Sequence, residues 1–591
     1  MMTGRPWAYL LFAAIVGCYV VARAAMLPWV HDECASLFWF VERDAFMPFS
    51  AHWDANNHIL SSAIGTASYK LSGLSLFASR IGSVIAFLVF AWATYRIGSL
   101  VADRLVRWCL WVALLLCPFM LEFFSLFRGY GLEIAFWSLA LDGLVRYLDS
   151  FRTLALVQAL VGMLLGNAAV LALVPLWALV LGILGMMVVW RWKRMVAMER
   201  GASVFAWLFL GLVPVLFGLR IAFELRAQGL LYHGGTEGFL AVTVVPILRY
   251  MTGTDHRVVG LLVILIVVMA TIVAVRARSW RSPAFIIAAL LWGDIAMRVG
   301  MAHLLGINYP KDRAALHLVP LAILLIAFAS DRLVLQRPNL RYASLILLLL
   351  PVRTVFTANV DHTSIWPEQS VPTRFVHRLA DMQRGLDRPL IVGSYHQLTL
   401  CLPYAARLAE ADIGVVDATD FPQGSHDARI ADGRFLAQAL PGYHEVDSAP
   451  ANGLHLLLRN APLRTTVTHE HPIVQQDARA EFIEVWRSDP RTTGEVIVEV
   501  TAGLATDTSY LDLQLVISAK DSAGNDLLYN AASLALLRPG WKGERFRTAV
   551  RVPAVPGATD RVVYFWNVQR ASYHLSEGRV VIRVMDSTDH Y

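Results

Sequence analysis

The sequence predicts a polytopic α-helical membrane domain of about eleven transmembrane helices, followed by an α/β module and a jelly-roll-like β-sandwich. Three observations predict it. The 591-residue chain is 57% apolar and 16% charged, with a mean hydropathy of +0.52, whereas soluble domains run nearer ~25% charged. Apolar windows of about 20 residues, the length that crosses a hydrocarbon core, recur as far as Val360. Beyond Val360, apolar and polar residues alternate in short runs, the pattern of half-buried strands. Disorder, collagen and a disulfide scaffold are excluded by the apolar content, the lack of a glycine period and only 5 Cys.

The spans fall at 7–26, 80–100, 108–127, 132–147, 154–166, 168–190, 204–221, 258–275, 284–304, 314–329 and 344–360. A hairpin at Gly166-Asn167 separates the fifth from the sixth. Segment 57–74 is apolar but broken by Ser, Gly and Lys70, and reads as an interfacial or re-entrant helix. Basic residues cluster at Arg104/Arg107, Arg146/Arg152, Arg191/Lys193/Arg194/Arg200, Arg276/Arg278/Arg281 and Arg332/Arg337/Arg341. With a cytoplasmic N-terminus, eleven spans put all five clusters inside. Segments 28–79, 128–130, 224–257, 308–313 and everything after Val360 then face out. Ala22-Arg23-Ala24 faintly resembles a signal-peptidase site, but its arginine and the loss of a span argue against cleavage.

Charge divides the chain in the same way. From Ala358 onward 22 Lys+Arg stand against 28 Asp+Glu, and the preceding stretch carries 29 against 17. The pI near 9.1 invites a nucleic-acid reading. The basic residues sit in short clusters between apolar segments, however, where membrane orientation accounts for them, so no nucleic acid is expected.

Residues 1–360 therefore form the membrane domain, 361–460 the α/β module and 461–591 the sandwich. In the α/β module 375–385 reads as an amphipathic helix, and 389–394, 414–416 and 454–458 as strands. In the sandwich the strands fall at 494–500, 510–518, 546–552, 562–568 and 579–585, with a turn at 521–525. A sandwich of this kind is equally a structural element or a sugar-binding module.

The candidate chemistry lies on the outer face. His31-Asp32-Glu33 follows the first span. Adjacent carboxylates at a membrane surface resist double ionisation, which poises one as a base; a solvated loop end is the alternative. The cluster His52-Trp53-Asp54-Ala55-Asn56-Asn57-His58 has no recognised metal-ligand spacing. Arg128, Lys311 and Arg313 lie where orientation predicts few cations. An anionic phosphate would explain them, as would an ion pair to Asp312 or Glu122 or contact with headgroups. Among intramembrane groups, Asp294 and Arg298 are spaced four apart and read as a structural pair, and Glu133 and Asp142 are further candidates. The stretch 232–238 has the composition of a hinge or a flexible turn. A disulfide between Cys34 and Cys401 would tie the first loop to the soluble part. No phosphate-cradling glycine motif stands between a strand and a helix, which disfavours a nucleotide-sugar donor.

Three segments resemble the GT-C polytopic glycosyltransferases, in particular the protein-mannosyltransferase and aminoarabinose-transferase branch. They are Asp32-Glu33 after span one, Asn57-His58-Ile59-Leu60 leading to Gly73 and Arg80, and Phe127-Arg128-Gly129-Tyr130-Gly131-Leu132. The likeness covers about residues 1–150 well and 280–330 loosely. Ile59 stands where the family usually has Pro, and Tyr309-Pro310-Lys311-Asp312-Arg313 departs from the mannosyltransferase form. The C-terminal modules differ from the β-trefoil of eukaryotic mannosyltransferases, which leaves sugar and acceptor open.

The resemblance implies an inverting enzyme of the bacterial inner membrane. It would transfer a sugar from a polyprenyl-phosphate carrier to an extracytoplasmic glycan, glycolipid or protein. Asp32 would be the base and Glu33 would orient it or the acceptor. Arg128, Lys311 and Arg313 would hold the donor phosphate. His31, Asp54, Asn57, His58, Tyr130 and Tyr309 are candidates for substrate contact. No cofactor is fixed by the sequence, and a divalent metal stays open. Two other readings remain: a transporter or flippase of lipid-linked sugars, which would favour an inverted repeat, and a non-catalytic anchor presenting a sugar-binding sandwich, in which Asp32 would be dispensable.

Overall fold

The computed structural model describes residues 6–254, 256–276, 279–419, 422–475, 477–489, 494–508, 511–534 and 544–585. It divides into two compact units: Met1–Met26 with Phe46–Val360, and Leu27–Ala45 with Asp361–Tyr591.

The first unit is helical: α1 (Pro6–Met26), then, after a short helix α2 (His31–Ser36) that belongs to the second unit, α3 (Ile59–Ser72), α4 (Leu76–Gly98), α5 (Arg104–Leu115), α6 (Pro118–Phe123), α7 (Gly129–Ser150) and α8 (Thr153–Ala169). It continues with α9 (Val174–Arg191), α10 (Ala197–Ala206), α11 (Val213–Ala227), α12 (Val245–Thr252), α13 (Arg257–Arg276), α14 (Pro283–Leu305), α15 (Leu318–Gln336) and α16 (Leu349–Thr357). Among the described residues, eight helices are long and apolar enough to cross a membrane. This is a multi-pass membrane protein, with eight such helices rather than the eleven expected.

The other three expected spans show why the number differs. Span three divides into α5 and α6, because Pro118 pushes Cys117 into extended backbone (ψ 116°) and ends the helix before it. The fourth, α7, carries Glu133, Asp142, Arg146 and Asp149 and is buried along most of its length. The fifth, α8, is only 17 residues long. Gly143 and Gly162 let α7 and α8 approach backbone to backbone, since a Cβ on either would meet the partner's main chain at 2.6–2.7 Å. Segment 224–257, expected as a loop, contains α12. Of the basic clusters, Arg278 lies outside the described residues.

Several charges inside this unit are paired. Asp142 meets Arg146 at 2.6 Å and Arg96 at 2.8 Å, and accepts a bond from Gln158. Arg298 meets Asp294 at 2.7 Å, as its spacing predicts, and His317 extends the pair: its Nε2 lies 3.1 Å from Asp294 and its Nδ1 3.4 Å from Glu133. Arg23 donates to Glu122 (2.7 Å), to the Tyr19 hydroxyl and to the Asn359 carbonyl. The arginine that spoils the signal-peptidase pattern is thus a buried tie between α1 and α6.

The second unit holds two modules. In the α/β module, β1 (Val392–Tyr395), β2 (Asp417–Thr419), β3 (Ala428–Asp432), β4 (Tyr443–Ala449) and β5 (Leu454–Arg459) form one sheet in the order β2-β1-β3-β5-β4. The first three strands are parallel and the last two are antiparallel additions. Helix Thr373–Gln383 lies where an amphipathic one is expected. Residues 414–416, expected as a strand, are not one: the strand begins at Asp417, and the Val415 amide instead donates to the Ala549 carbonyl of the sandwich (2.8 Å).

The sandwich contains β6 (Thr465–Pro472), β7 (Phe482–Arg487), β8 (Val496–Thr506), β9 (Leu513–Lys520), β10 (Asp526–Ser533), β11 (Glu544–Val552), β12 (Asp560–Asn567) and β13 (Tyr573–Met585). The sheets run β10-β9-β12-β7 and β11-β8-β13-β6, the eight-strand order of a jelly roll. Val498, Val500, Leu515, Ile517, Val563 and Phe565 face one another in its core. The turn at 521–525 joins β9 to β10; Tyr510, expected to start β9, lies outside the described residues. Arg551 of β11 ties the modules together, meeting Asp417 at 2.7 Å and Glu495 at 2.9 Å. Burial pushes the Asp417 carboxyl up, but His426 and Arg551 outweigh it and hold it at about 2.

Candidate active site

The candidate residues divide between the two units. Arg128, Asp54, Asn57, His58, Tyr130, Tyr309, Lys311 and Arg313 belong to the first, and His31, Asp32 and Glu33 to the second.

Arg128 caps the N-terminus of α7 and is 1% exposed. Its Nη2 donates to Asn56 Oδ1 (2.5 Å) and lies 2.9 Å from His58 Nε2. A guanidinium N–H only donates, so His58 Nε2 accepts and its ring proton sits on Nδ1. Tyr130 packs edge-on against His58 (4.9 Å) and beneath the guanidinium (5.8 Å). The loop that delivers Asn56 and His58 is shaped by its own polar groups. Asp54 accepts the Asn56 amide (2.8 Å), and Asn57 donates to the Phe46 carbonyl while accepting from Ser62. Gly129 permits the convergence: a Cβ there would lie 2.1 Å from the Ala169 carbonyl oxygen and 2.8 Å from the His58 ring. Gly129→Ala is expected to displace His58 and to cost about 1–3 kcal/mol of stability, read by thermal unfolding of the purified protein.

The second cationic group is the turn 308–313. Tyr309 pairs with Gly235 in a two-residue bridge, Asn308 donates to the Tyr232 carbonyl, and Thr243 donates to the Pro310 carbonyl (2.6 Å). The glycine-rich stretch 232–238 therefore clasps this turn. Asp312 adopts a left-handed conformation (φ 51°) between Lys311 and Arg313. Burial raises its carboxyl although Lys311, Arg313, His233 and Arg249 all oppose the rise. His233 and Arg249 were not singled out by sequence; only the fold brings them to Asp312. Helix α12, which carries Arg249, packs on α6 through a stacked Phe119–Tyr250 pair (4.9 Å).

In the second unit, α2 opens with the acidic pair. Glu33 is fully buried and its carboxylate accepts the Val30 amide (3.2 Å), capping the helix that carries Asp32. Asp32 is half-buried and its carbonyl accepts from Ser36. The segment is held by distant residues that sequence reasoning missed. The His31 amide donates to Gln369 Oε1 (3.1 Å), and Gln369 contacts Gln397 just past the carboxyl end of β1. Trp29 stacks on Tyr404 (4.3 Å), and Arg407 meets Glu42 at 3.2 Å while lying over Phe38. No disulfide joins Cys34 to Cys401.

Burial outweighs the pull of Arg407 and Arg43 and pushes the Glu42 carboxyl up from its ordinary 4.5 to about 7. The folded state therefore binds this proton more tightly than the unfolded chain. The contribution is complete below pH 4.5 and is lost as pH rises through about 7. Thermal unfolding across that window should show stability falling with pH, and Glu42→Gln should flatten the fall.

Among the described residues no group of three or more His, Cys, Asp or Glu side chains is placed to hold a metal.

No protein-family model matches the chain. No curated protein matches it either. Solved structures do resemble it. ArnT from Cupriavidus metallidurans in the apo state is 14% identical, with 77% of this chain and 98% of that one covered at a TM-score of 0.43. The same protein bound to undecaprenyl phosphate is 13% identical, with coverage of 78% and 99% and a TM-score of 0.42. Arabinosyltransferase EmbB from Mycobacterium smegmatis is 11% identical, with coverage of 99% and 65% and a TM-score of 0.40. At these values the likeness assigns no residue a role.

Proposed function

We propose that this chain is an inverting glycosyltransferase that moves a sugar from a polyprenyl-phosphate carrier to an extracytoplasmic acceptor, an envelope glycan, glycolipid or protein. The observation that carries the reading is Arg128. A buried guanidinium stands at the N-terminus of a 22-residue helix, among His58, Asn56 and Tyr130. The helix dipole and the guanidinium both favour an anion there. An anionic phosphate on a lipid tail is the substrate that such a site in a membrane domain suits.

In this reading Asp32 takes the proton from the acceptor hydroxyl as its oxygen attacks C1 of the donor sugar. The bond from C1 to the phosphate oxygen breaks on the opposite face, which inverts the centre. The electron pair leaves with the polyprenyl phosphate, and Arg128, Lys311 and Arg313 stabilise the charge developing on it. Glu33 caps the helix that carries the base. His31, Asp54, Asn57, His58, Tyr130 and Tyr309 contact the substrates. The protein sits in the bacterial inner membrane with its N-terminus in the cytoplasm and the C-terminal modules outside. The jelly roll presents a row of aromatic rings, Phe482 with Tyr564 (5.6 Å) and with Trp566 (6.4 Å), beside the exposed Tyr529. Such a row suits the apolar faces of sugar rings and supports a glycan-binding role.

The test is transfer by the purified protein from radiolabelled polyprenyl-phosphate sugars to an envelope extract. Labelled acceptor supports the reading. Movement of the intact lipid-linked sugar across proteoliposomes, with no labelled acceptor from any donor, favours the transporter instead.

A further inference from the structure

We propose that the carboxyl edge of the α/β sheet is the acceptor site, and that the acceptor is a neutral glycan bound through Arg434 and Glu368. Strand β1 has parallel neighbours on both sides, β2 and β3. The chain leaves β1 through helix Cys401–Leu408 towards β2. It leaves β3 through helix Leu436–Ala439 towards β4 and β5, on the other side. Exits that part in this way open a crevice between the two strand ends, the place where open α/β sheets bind their ligands.

Side chains from both strands meet across that crevice. Arg434, just past β3, donates through Nη2 to the hydroxyl of Tyr395, the last residue of β1 (3.1 Å). Asp432 holds the same guanidinium through Nε (2.9 Å) and Nη2 (2.7 Å). The Arg434 side chain is nevertheless 63% exposed, so a ligand has access to it. Glu368 is half-buried beside this pair. Burial raises its carboxyl, Arg434 draws it down and Asp432 pushes it up. Phe435, also half-buried, lies beneath the guanidinium (5.8 Å) and adds an apolar face.

These groups select the ligand. One guanidinium stands against two carboxylates, so this cluster has no positive charge to spare for a phosphate or a carboxylate. It offers charged donors and acceptors side by side, which suits neighbouring hydroxyls, each able to donate and to accept. The aromatic face suits a sugar ring.

The crevice also adjoins the proposed base. Gln369, next to Glu368, accepts the His31 amide (3.1 Å) and contacts Gln397, two positions past Tyr395. The segment that carries Asp32 is thus seated at this strand end. The acceptor role rests on the glycosyltransferase reading: a base must lie beside the hydroxyl it deprotonates, and a glycan bound at this edge lies beside that segment.

The test uses the full chain in nanodiscs, labelled polyprenyl-phosphate sugars, and an envelope extract divided into neutral polysaccharide, glycolipid and protein. Label should enter the polysaccharide. Arg434→Gln and Glu368→Gln should each raise the polysaccharide concentration for half-maximal transfer about tenfold, with the maximal rate and the affinity for bare prenyl phosphate unchanged. Tyr395→Phe removes only the hydroxyl that positions Arg434 and should raise it about threefold. A purely structural role would lower the maximal rate and the unfolding temperature instead, and overturns the proposal. Label that enters only glycolipid or protein, or half-saturation that no variant changes, also overturns it and leaves the transferase reading standing. If no donor gives transfer, the polysaccharide is added alone and hydrogen exchange is measured. Protection of residues 395–400 and 432–436 that Arg434→Gln abolishes leaves the glycan site standing and removes the transferase reading; no protection overturns the site.

Discussion

Asp32→Asn should lower sugar transfer by about 10²–10⁴-fold while leaving the protein folded. The substitution is nearly isosteric and the side chain is only half-buried, so little packing depends on its charge. On the proposed reading, what it removes is the basicity that accepts the acceptor's proton. The neighbouring residue supplies the contrast. Glu33 is fully buried and its carboxylate holds the Val30 amide at 3.2 Å, so Glu33→Gln should lower the unfolding temperature before it lowers the rate. Transfer and thermal unfolding, measured side by side on both variants, separate base from cap. An Asp32→Asn protein that transfers at the wild-type rate ends the assignment and moves the base to another carboxylate, Glu33 or Asp54.

Much of the fold is written in local patterns, and what is missed depends on contacts across the chain. Strand β12 alternates buried and half-buried positions along its whole length, a period of two that is legible in the sequence, while β8 and β9 are buried on both faces and read as apolar runs. Strand β6, Thr-Thr-Val-Thr-His-Glu-His-Pro, is exposed along nearly its whole length, and β10 likewise lies at a sheet edge. Neither needs an apolar face, so neither leaves a period-two signal. Residues 414–416 are apolar because they pack on the sandwich, not because they form a strand.

The site divides along the same line. Arg128 and His58 stand out because a charge and an imidazole are rare in a turn between apolar spans. Their meeting through Asn56 spans 70 or more positions and has no sequence signature. The pair Asp294–Arg298 is legible as an i,i+4 spacing, but its extension to His317 and Glu133 is not. Least legible is the membership of residues 27–45. Sequence order assigns them to the membrane domain, yet Gln369, Tyr404 and Arg407, over 300 positions away, seat them in the soluble unit. The α/β module is thus more than an appendage: it builds the platform for the segment that carries Asp32.

Arg128→Ala should cost about 10²–10³ in transfer, the scale on which one preorganised group facing developing charge is felt. The conservative variant is the sharper experiment. Lysine keeps the charge but has no planar fork to hold Asn56 on one side while presenting N–H groups to a phosphate on the other, so Arg128→Lys should recover only part of the loss. A structural role predicts a different pattern, because the guanidinium is also a buried link between α7 and the loop at 54–58. If that link were its whole purpose, both variants would lower the unfolding temperature and the rate together, and affinity for bare prenyl phosphate would change no more than that for a neutral prenyl alcohol. If Arg128 grips the donor, the variants weaken prenyl phosphate selectively and the alcohol not at all. The same titration at raised salt sharpens the distinction, because a buried guanidinium–phosphate contact is screened far less than a surface charge would be.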